Sequence, residues 1–81
     1  MGKKPRRKPQ HLAAKLLAIR TSLGVSQFNM AKLLDSDLPH TRLSEFESGR
    51  REPNLLIVLR YARAAKVPVE NLIDDELELP F

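Results

Sequence analysis

Two short helices separated by a polar break are predicted for residues 26–53, and this stretch limits the fold more than any other part of the chain. Ser26 is a good N-cap for a helix over residues 27–34, because its side-chain oxygen can accept from an unpaired backbone N–H. After the polar residues 35–37, a second helix is predicted over residues 39–48. Helices this short gain most of their stability from packing, so both must lie against a larger helical core.

Three more helices are predicted from apolar residues at helical spacing, over residues 10–22, 55–66 and 69–75. Gly24 and Gly49 follow two of the five helices, as C-terminal glycines often do. No alternating strand pattern is present, so the predicted fold class is all-α: a compact five-helix bundle. The side chains expected to face its core are those of Leu12, Leu16, Ile19, Leu23, Met30, Ala31, Leu33, Leu34, Leu43, Phe46, Leu55, Val58, Leu59, Ala62, Leu72 and Ile73.

The length of 81 residues fits one domain. Residues 1–9 combine basic side chains with two prolines and have no apolar period, so we expect a basic, disordered arm. The folded domain is predicted over residues 10–75, and residues 76–81 form an acidic and apolar C-terminal tail.

The charge is distributed unevenly along the chain, which has a net charge of +4. Residues 1–10 carry five basic residues and no acidic one, whereas residues 70–81 carry five acidic residues and no basic one. Between them lie nine basic and five acidic residues, so the central part keeps the positive excess. A positive field favours a polyanionic partner, although solvated basic faces are also common.

Several classes of protein are disfavoured by the composition. The chain has no cysteine, which excludes a disulfide framework and fits a reducing cytoplasm. No apolar run approaches the roughly 20 residues that span a bilayer, and the basic start lacks the apolar stretch of a secretory signal. His11 and His40 fall on different helices, so no metal or other cofactor is expected. One exposed helix cannot enclose an active site, so His40, Ser44 and Glu45 are not read as a triad and no enzyme is predicted.

A set of residues spread over most of the chain coincides with the pattern of one family of DNA-binding proteins. These residues are Arg20, Gly24, Val25, Ser26, Gln27, Met30-Ala31, Leu43-Ser44, Phe46-Glu47, Ser48-Gly49, Arg50 and Pro53-Asn54-Leu55. Over about residues 12–74 the sequence resembles the phage-repressor-like (Cro/C1-type, XRE-type) helix-turn-helix family. The resemblance implies a lambda-repressor-like domain, and it implies a homodimer that binds pseudo-palindromic double-stranded DNA. The turn before the third helix is two residues longer than is usual in the family, which leaves the register of that helix open.

Binding residues are predicted around the second and third helices. If Leu43 and Phe46 point inward, the polar residues around them face outward, where they can reach base edges or phosphates in the major groove. Glu45 can accept only from cytosine among the bases, so it can instead exclude wrong sequences. Arg50 and Arg51 are expected to bind the DNA backbone, which contributes affinity but little sequence information. The predicted DNA-binding residues are Gln27, His40, Thr41, Arg42, Ser44, Glu45, Arg50 and Arg51.

Three further sets of residues have alternative interpretations. The resemblance implies that Arg20 and Glu47 form a structural ion pair. The basic arm can enter the minor groove, remain a solvated tail or act as a nuclear-targeting signal; its residues are Lys3, Lys4, Arg6, Arg7 and Lys8. Apolar residues on the fourth helix suggest a homodimer contact, or else a wider buried stripe; they are Leu56 and Ile57, with Tyr61 beside them.

The predicted function is therefore sequence-specific binding of double-stranded DNA by a small cytoplasmic transcriptional regulator, most simply a repressor, that associates with the nucleoid when bound. The alternative is a protein-binding module, such as the antitoxin partner of a toxin or an effector-binding adaptor. Binding of single-stranded RNA is disfavoured, because the chain has only three Phe and one Tyr to stack on bases.

Overall fold

The computed structural model describes residues 8–81, and these residues form five α-helices without a strand. The predicted all-α, five-helix fold is confirmed, and the predicted helix ends lie within about two residues of the observed ones. Residues 1–7 of the predicted basic arm lie outside the described residues, whereas its last basic residue, Lys8, is described and exposed. The helices are α1 Leu12–Leu23, α2 Gln27–Leu34, α3 His40–Ser48, α4 Leu55–Ala65 and α5 Glu70–Ile73.

Local capping interactions set several helix ends. The Ser26 side chain accepts a hydrogen bond from the backbone N–H of Asn29 at 3.1 Å, so it caps α2 as predicted. The Asn54 side chain accepts from the Ile57 N–H at 2.9 Å in the same way and caps α4. Gly49 ends α3 with φ at 79°, a left-handed conformation that glycine adopts without steric cost.

One hydrophobic core joins all five helices. α3 packs on α1 and α2, α4 also packs on α1 and α2, and α5 packs on α1. Within the described residues no helix is long and apolar enough to cross a membrane. The buried apolar residues are Leu12, Leu16, Ile19, Met30, Ala31, Leu34, Leu43, Phe46, Ile57, Val58, Tyr61, Ala62 and Leu72.

The predicted core was wrong at several positions. Leu55 is 83% exposed and Leu33 is 62% exposed, and Leu23 is exposed as well. These residues lie at helix ends or beside the buried stripe, where no other element covers them. Ile73 is exposed too, because α5 directs Leu72 rather than Ile73 into the core.

Two residues predicted to contact a second copy of the chain belong to the core instead. Ile57 is buried, and Tyr61 is fully buried. On α4 they lie four residues apart, next to Val58 and Ala62, so the buried stripe is wider and rotated from the predicted one. Leu56 is the member of this predicted set that stays exposed.

The Tyr61 hydroxyl is buried and has no hydrogen-bond partner among residues 8–81. Burying an unpaired hydroxyl costs about 1–3 kcal/mol, so we expect Tyr61→Phe to raise the free energy of unfolding by about 1 kcal/mol. Urea denaturation checks this as a higher midpoint at an unchanged m-value. Tyr61→Ala is the control for packing and should lose about 3–5 kcal/mol. A loss of stability in Tyr61→Phe would contradict the expectation.

The turn before α3 is organised by Asp35. Its carboxylate accepts from the Asp37 N–H at 3.0 Å, and its backbone carbonyl accepts from the Leu38 N–H at 2.9 Å. Arg60 of α4 lies 3.3 Å from the other Asp35 carboxylate oxygen and donates to the Leu34 carbonyl at 2.9 Å. This turn is therefore held both locally and by α4, directly before the first residue of α3.

The C-terminal segment is bound to the start of α1. The Asp75 carboxylate accepts from the backbone N–H groups of Gln10 and His11, so a residue distant in sequence holds the chain just before α1. The hydrogen bond from Gln10 is the main reason that the pKa of Asp75 lies below its ordinary value. The buried Lys15 ammonium donates to the backbone carbonyls of Asp74 at 3.0 Å and Leu77 at 2.8 Å.

Candidate nucleic-acid interface

The outward face of α3 is polar and open to solvent. Leu43 and Phe46 are buried, as the sequence predicted, whereas His40 and Thr41 at the start of the helix are exposed. Further along the helix, three residues of the predicted binding set are partly exposed; they are Arg42, Ser44 and Glu45. α3 therefore presents its N-terminal turn and one polar side together.

Glu45 holds two cations on this face. Its Oε1 atom accepts from Arg51 Nε at 3.2 Å and lies 3.4 Å from Arg42 Nε. All three side chains are partly solvent-exposed, so these pairs add little to stability. The two arginines nevertheless offset the negative charge of Glu45 on a surface that is predicted to contact phosphates.

The loop after α3 places two arginines at the rim of this face. The backbone N–H groups of Arg50 and Arg51 donate to the Glu45 carbonyl at 3.0 and 3.3 Å, which turns the chain back over the helix end. The Arg50 side chain is exposed, and its Nε donates to the Ser48 hydroxyl at 3.3 Å. Both guanidinium groups are therefore close to α3.

A partly buried ion pair joins α1 to α3. Arg20 donates through Nε and one terminal nitrogen to the two Glu47 carboxylate oxygens, at 2.6 and 3.0 Å. The other terminal nitrogen of Arg20 donates to the Val25 carbonyl at 3.1 Å. The side chain of Gln27 also donates to Glu47, at 3.0 Å. Glu47 thus connects α1, the start of α2 and the end of α3, and the pair implied by the resemblance is present.

Two groups at this ion pair have raised pKa values, Arg20 within the pair and Tyr61 near it. The hydrogen bond that Arg20 donates to the Glu47 carboxylate is the main reason that the pKa of Arg20 is raised above its ordinary value. Burial raises the pKa of Tyr61, and the negative charge of Glu47 raises it further. Arg20 and Tyr61 therefore both stay protonated over the physiological range.

The sequence predictions missed an aromatic cluster beside α3. Phe28, in the first turn of α2, is 52% exposed. Its ring meets the His40 ring edge to face, with 5.9 Å between ring centroids and 63° between the planes. The Lys32 ammonium lies 4.4 Å from the centroid of the Phe28 ring. The sequence held one signal for this cluster. Phe28 and Lys32 lie four residues apart on α2, on a side away from its core-facing residues, so their side chains can meet.

The family model described as helix-turn-helix matches residues 16–72, which is more than half of the chain. The chain belongs to the helix-turn-helix family. This membership confirms the resemblance stated from the sequence and the predicted class of function, a sequence-specific DNA-binding regulator. The matched residues run from α1 to α5 and include every residue of the predicted DNA-binding face.

Among solved structures, the helix-turn-helix chain is similar to the P22 c2 repressor protein in complex with the synthetic operator 9T in the presence of Tl⁺. The TM-score is 0.70 and the sequence identity is 20%, with 79% of this chain and 94% of that chain covered. At this identity the likeness concerns the fold. No curated protein sequence matches the chain.

Proposed function

We propose that this helix-turn-helix chain regulates transcription, most simply as a repressor, by placing α3 in the major groove of a specific double-stranded DNA site. His40, Thr41 and Ser44 reach base edges from the start and the outer side of α3. Arg42 binds a phosphate or a guanine, for which a guanidinium is well suited. Glu45 accepts from a cytosine or excludes wrong sequences.

The observation that carries this proposal is the open N-terminal turn of α3. Side chains at the N-terminal end of a recognition helix contact base edges, while the preceding helix crosses the DNA backbone. His40 and Thr41 are exposed at that end, and the ion pair between Arg20 and Glu47 holds the other end against α1. One end of α3 is thus held against α1, while the residues proposed to contact bases stay accessible to DNA.

Contacts with phosphates come from the two sides of α3. At the start of α2 the unpaired backbone N–H groups and the Gln27 amide suit an anion, although Gln27 also donates to Glu47. On the other side lie Arg50 and Arg51, of which Arg51 exchanges its bond to Glu45 for a phosphate when DNA binds.

Selection of bound sequences from a random duplex library at physiological salt tests the proposed function. We expect one enriched sequence, because exposed donors and acceptors at fixed positions select particular base edges. Recovery of no sequence over background, together with binding that does not depend on sequence, would contradict the proposal. A pseudo-palindrome would also give the spacing of two half-sites.

Arg50→Ala is expected to weaken binding to the selected duplex and to a scrambled duplex by the same factor. Arg50 contacts the backbone in this proposal, so its loss removes one released counterion and lowers the salt slope by about one. Affinities measured over a series of salt concentrations give this slope. The matched control is Arg63→Ala, which removes an exposed arginine on α4 and should leave the slope unchanged. A loss confined to the selected duplex would assign Arg50 to base recognition instead.

We also propose that two copies of the chain associate through the exposed apolar start of α4. Leu55 and Leu56 are exposed there, and Leu55 lines the same surface groove as Ile73 of α5. Exposed apolar side chains grouped in this way mark interaction surfaces. A dimer would place two copies of α3 on the two halves of a palindrome.

Leu56→Asp is expected to convert a dimer to a monomer and to weaken binding to a two-half-site duplex by at least tenfold. A carboxylate in an apolar contact loses its hydration without gaining a partner. Sedimentation velocity checks the association, and Leu33→Asp, on exposed α2 surface away from this groove, is the control. A wild-type chain that is monomeric both alone and on the palindrome would contradict the dimer.

A further inference from the structure

Phe28 has no part in the hydrophobic core, yet other side chains hold it in place. Its ring is half exposed in the first turn of α2, beside Gln27. The contact with His40 ties it to the first residue of α3, and Lys32 covers one side of the ring. Two elements of the proposed DNA-binding face therefore position one solvent-exposed aromatic ring.

This position places the ring at the end of α3 that reads bases in the proposed function. His40 and Phe28 contact each other, so a base pair within reach of His40 lies close to Phe28 as well. Lys32 adds a positive charge at the same place, which suits the phosphate that flanks such a base pair.

The chemistry of the ring limits what it can recognise there. The four base pairs show hydrogen-bond donors and acceptors in the major groove, and the C5-methyl group of thymine is the apolar feature among them. A phenylalanine ring has neither donor nor acceptor, so it can contact that methyl group favourably but cannot pair with a polar edge.

We infer that Phe28 is a specificity-determining residue that selects thymine through its C5-methyl group, at a base pair adjoining the one that His40 faces. This inference rests on the proposed function, since it requires α3 to lie in the major groove. It adds a reading residue on α2 to those on α3.

The test replaces each thymine of the selected duplex in turn by deoxyuridine, which removes only the methyl group. For the wild-type chain we expect one thymine position per half-site at which the change weakens binding about fourfold, as expected for burial of one methyl-sized apolar group. In Phe28→Ala the same replacement should have no effect. The two changes are then non-additive, as for groups in direct contact.

Two further variants separate methyl recognition from other roles of the ring. Phe28→Leu keeps an apolar side chain and should retain part of the preference for thymine over deoxyuridine. Leu33→Ala removes another exposed apolar side chain of α2 and should leave the preference unchanged. Thermal unfolding of each variant checks that the fold is intact, which we expect because both residues are exposed.

The outcomes distinguish this inference from the proposed function. If the wild-type chain selects a sequence but no thymine is sensitive, or if the sensitivity survives in Phe28→Ala, the role of Phe28 is overturned while the proposed function stands. In the second of these outcomes Phe28→Ala weakens the thymine and deoxyuridine duplexes equally, which would place the ring against the DNA backbone. If the wild-type chain binds no specific duplex, the proposed function and the role of Phe28 are both overturned.

Discussion

Glu47→Ala is expected to lower the free energy of unfolding by about 3 kcal/mol. Removing one member of a buried ion pair leaves the other charge without a partner, at a cost of about 3–5 kcal/mol. We expect the lower end, because the Glu47 side chain is 6% exposed but that of Arg20 is 20% exposed, so water can partly solvate the remaining guanidinium. Gln27 also loses its acceptor. A domain of this size is typically stable by only about 4–12 kcal/mol, so the loss is large.

Chemical denaturation of the wild type, of Glu47→Ala and of two comparison variants measures this effect. Glu45→Ala is the matched control, because it removes the same side chain from a partly exposed position on the same helix and should cost less than about 1 kcal/mol. The double variant Arg20→Met/Glu47→Leu should lose less than the single Glu47→Ala, since it leaves no unpaired charge. Similar losses of unfolding free energy in Glu45→Ala and Glu47→Ala would show that the ion pair between α1 and α3 stabilises the fold no more than an exposed pair does.

His40→Ala combined with Thr41→Ala is expected to weaken binding to the selected duplex by about 2–6 kcal/mol, because each lost base contact costs about 1–3 kcal/mol. Binding to a scrambled duplex should change little, since non-specific affinity comes from phosphate contacts that the double variant keeps. The double variant should therefore flatten sequence preference without abolishing DNA binding. Fluorescence anisotropy with both duplexes at one fixed salt concentration measures the two affinities.

Arg50→Ala serves as the comparison for this double variant. The proposed division of roles requires one variant to lose specificity and the other to lose affinity for every sequence. Equal losses on both duplexes for both variants would contradict that division. Because His40 also contacts Phe28, the deoxyuridine replacements are needed to separate the two contributions.

Which side of α3 is exposed was predictable because the signals are local. The spacing of Leu43 and Phe46 identifies the inward side of α3, and the exposed positions of His40 and Thr41 follow from helix geometry. The partners of the charged side chains were not predictable in the same way. Arg51 lies beyond Gly49, yet it returns to Glu45 through the turn that follows α3.

The contact between Phe28 and His40 was also not predictable from the local sequence. Nothing in the local sequence of α2 indicates that Phe28 meets His40, because twelve residues separate them. The contact depends on how the turn held by Asp35 and Arg60 brings α3 back beside α2. The length of the turn was visible in the sequence, but the resulting position of α3 was not.

The sequence by itself determined the five helices and their ends, because apolar spacing and capping residues act within a few neighbouring positions. Only the tertiary structure decided which apolar residues were covered, since Tyr61 is buried and Leu55 exposed on the same helix. It also decided that Asp75, near the other end of the chain, binds the backbone just before α1. The physical reason is that burial and ion pairing depend on which elements meet in space, and a linear pattern of residues specifies this only indirectly.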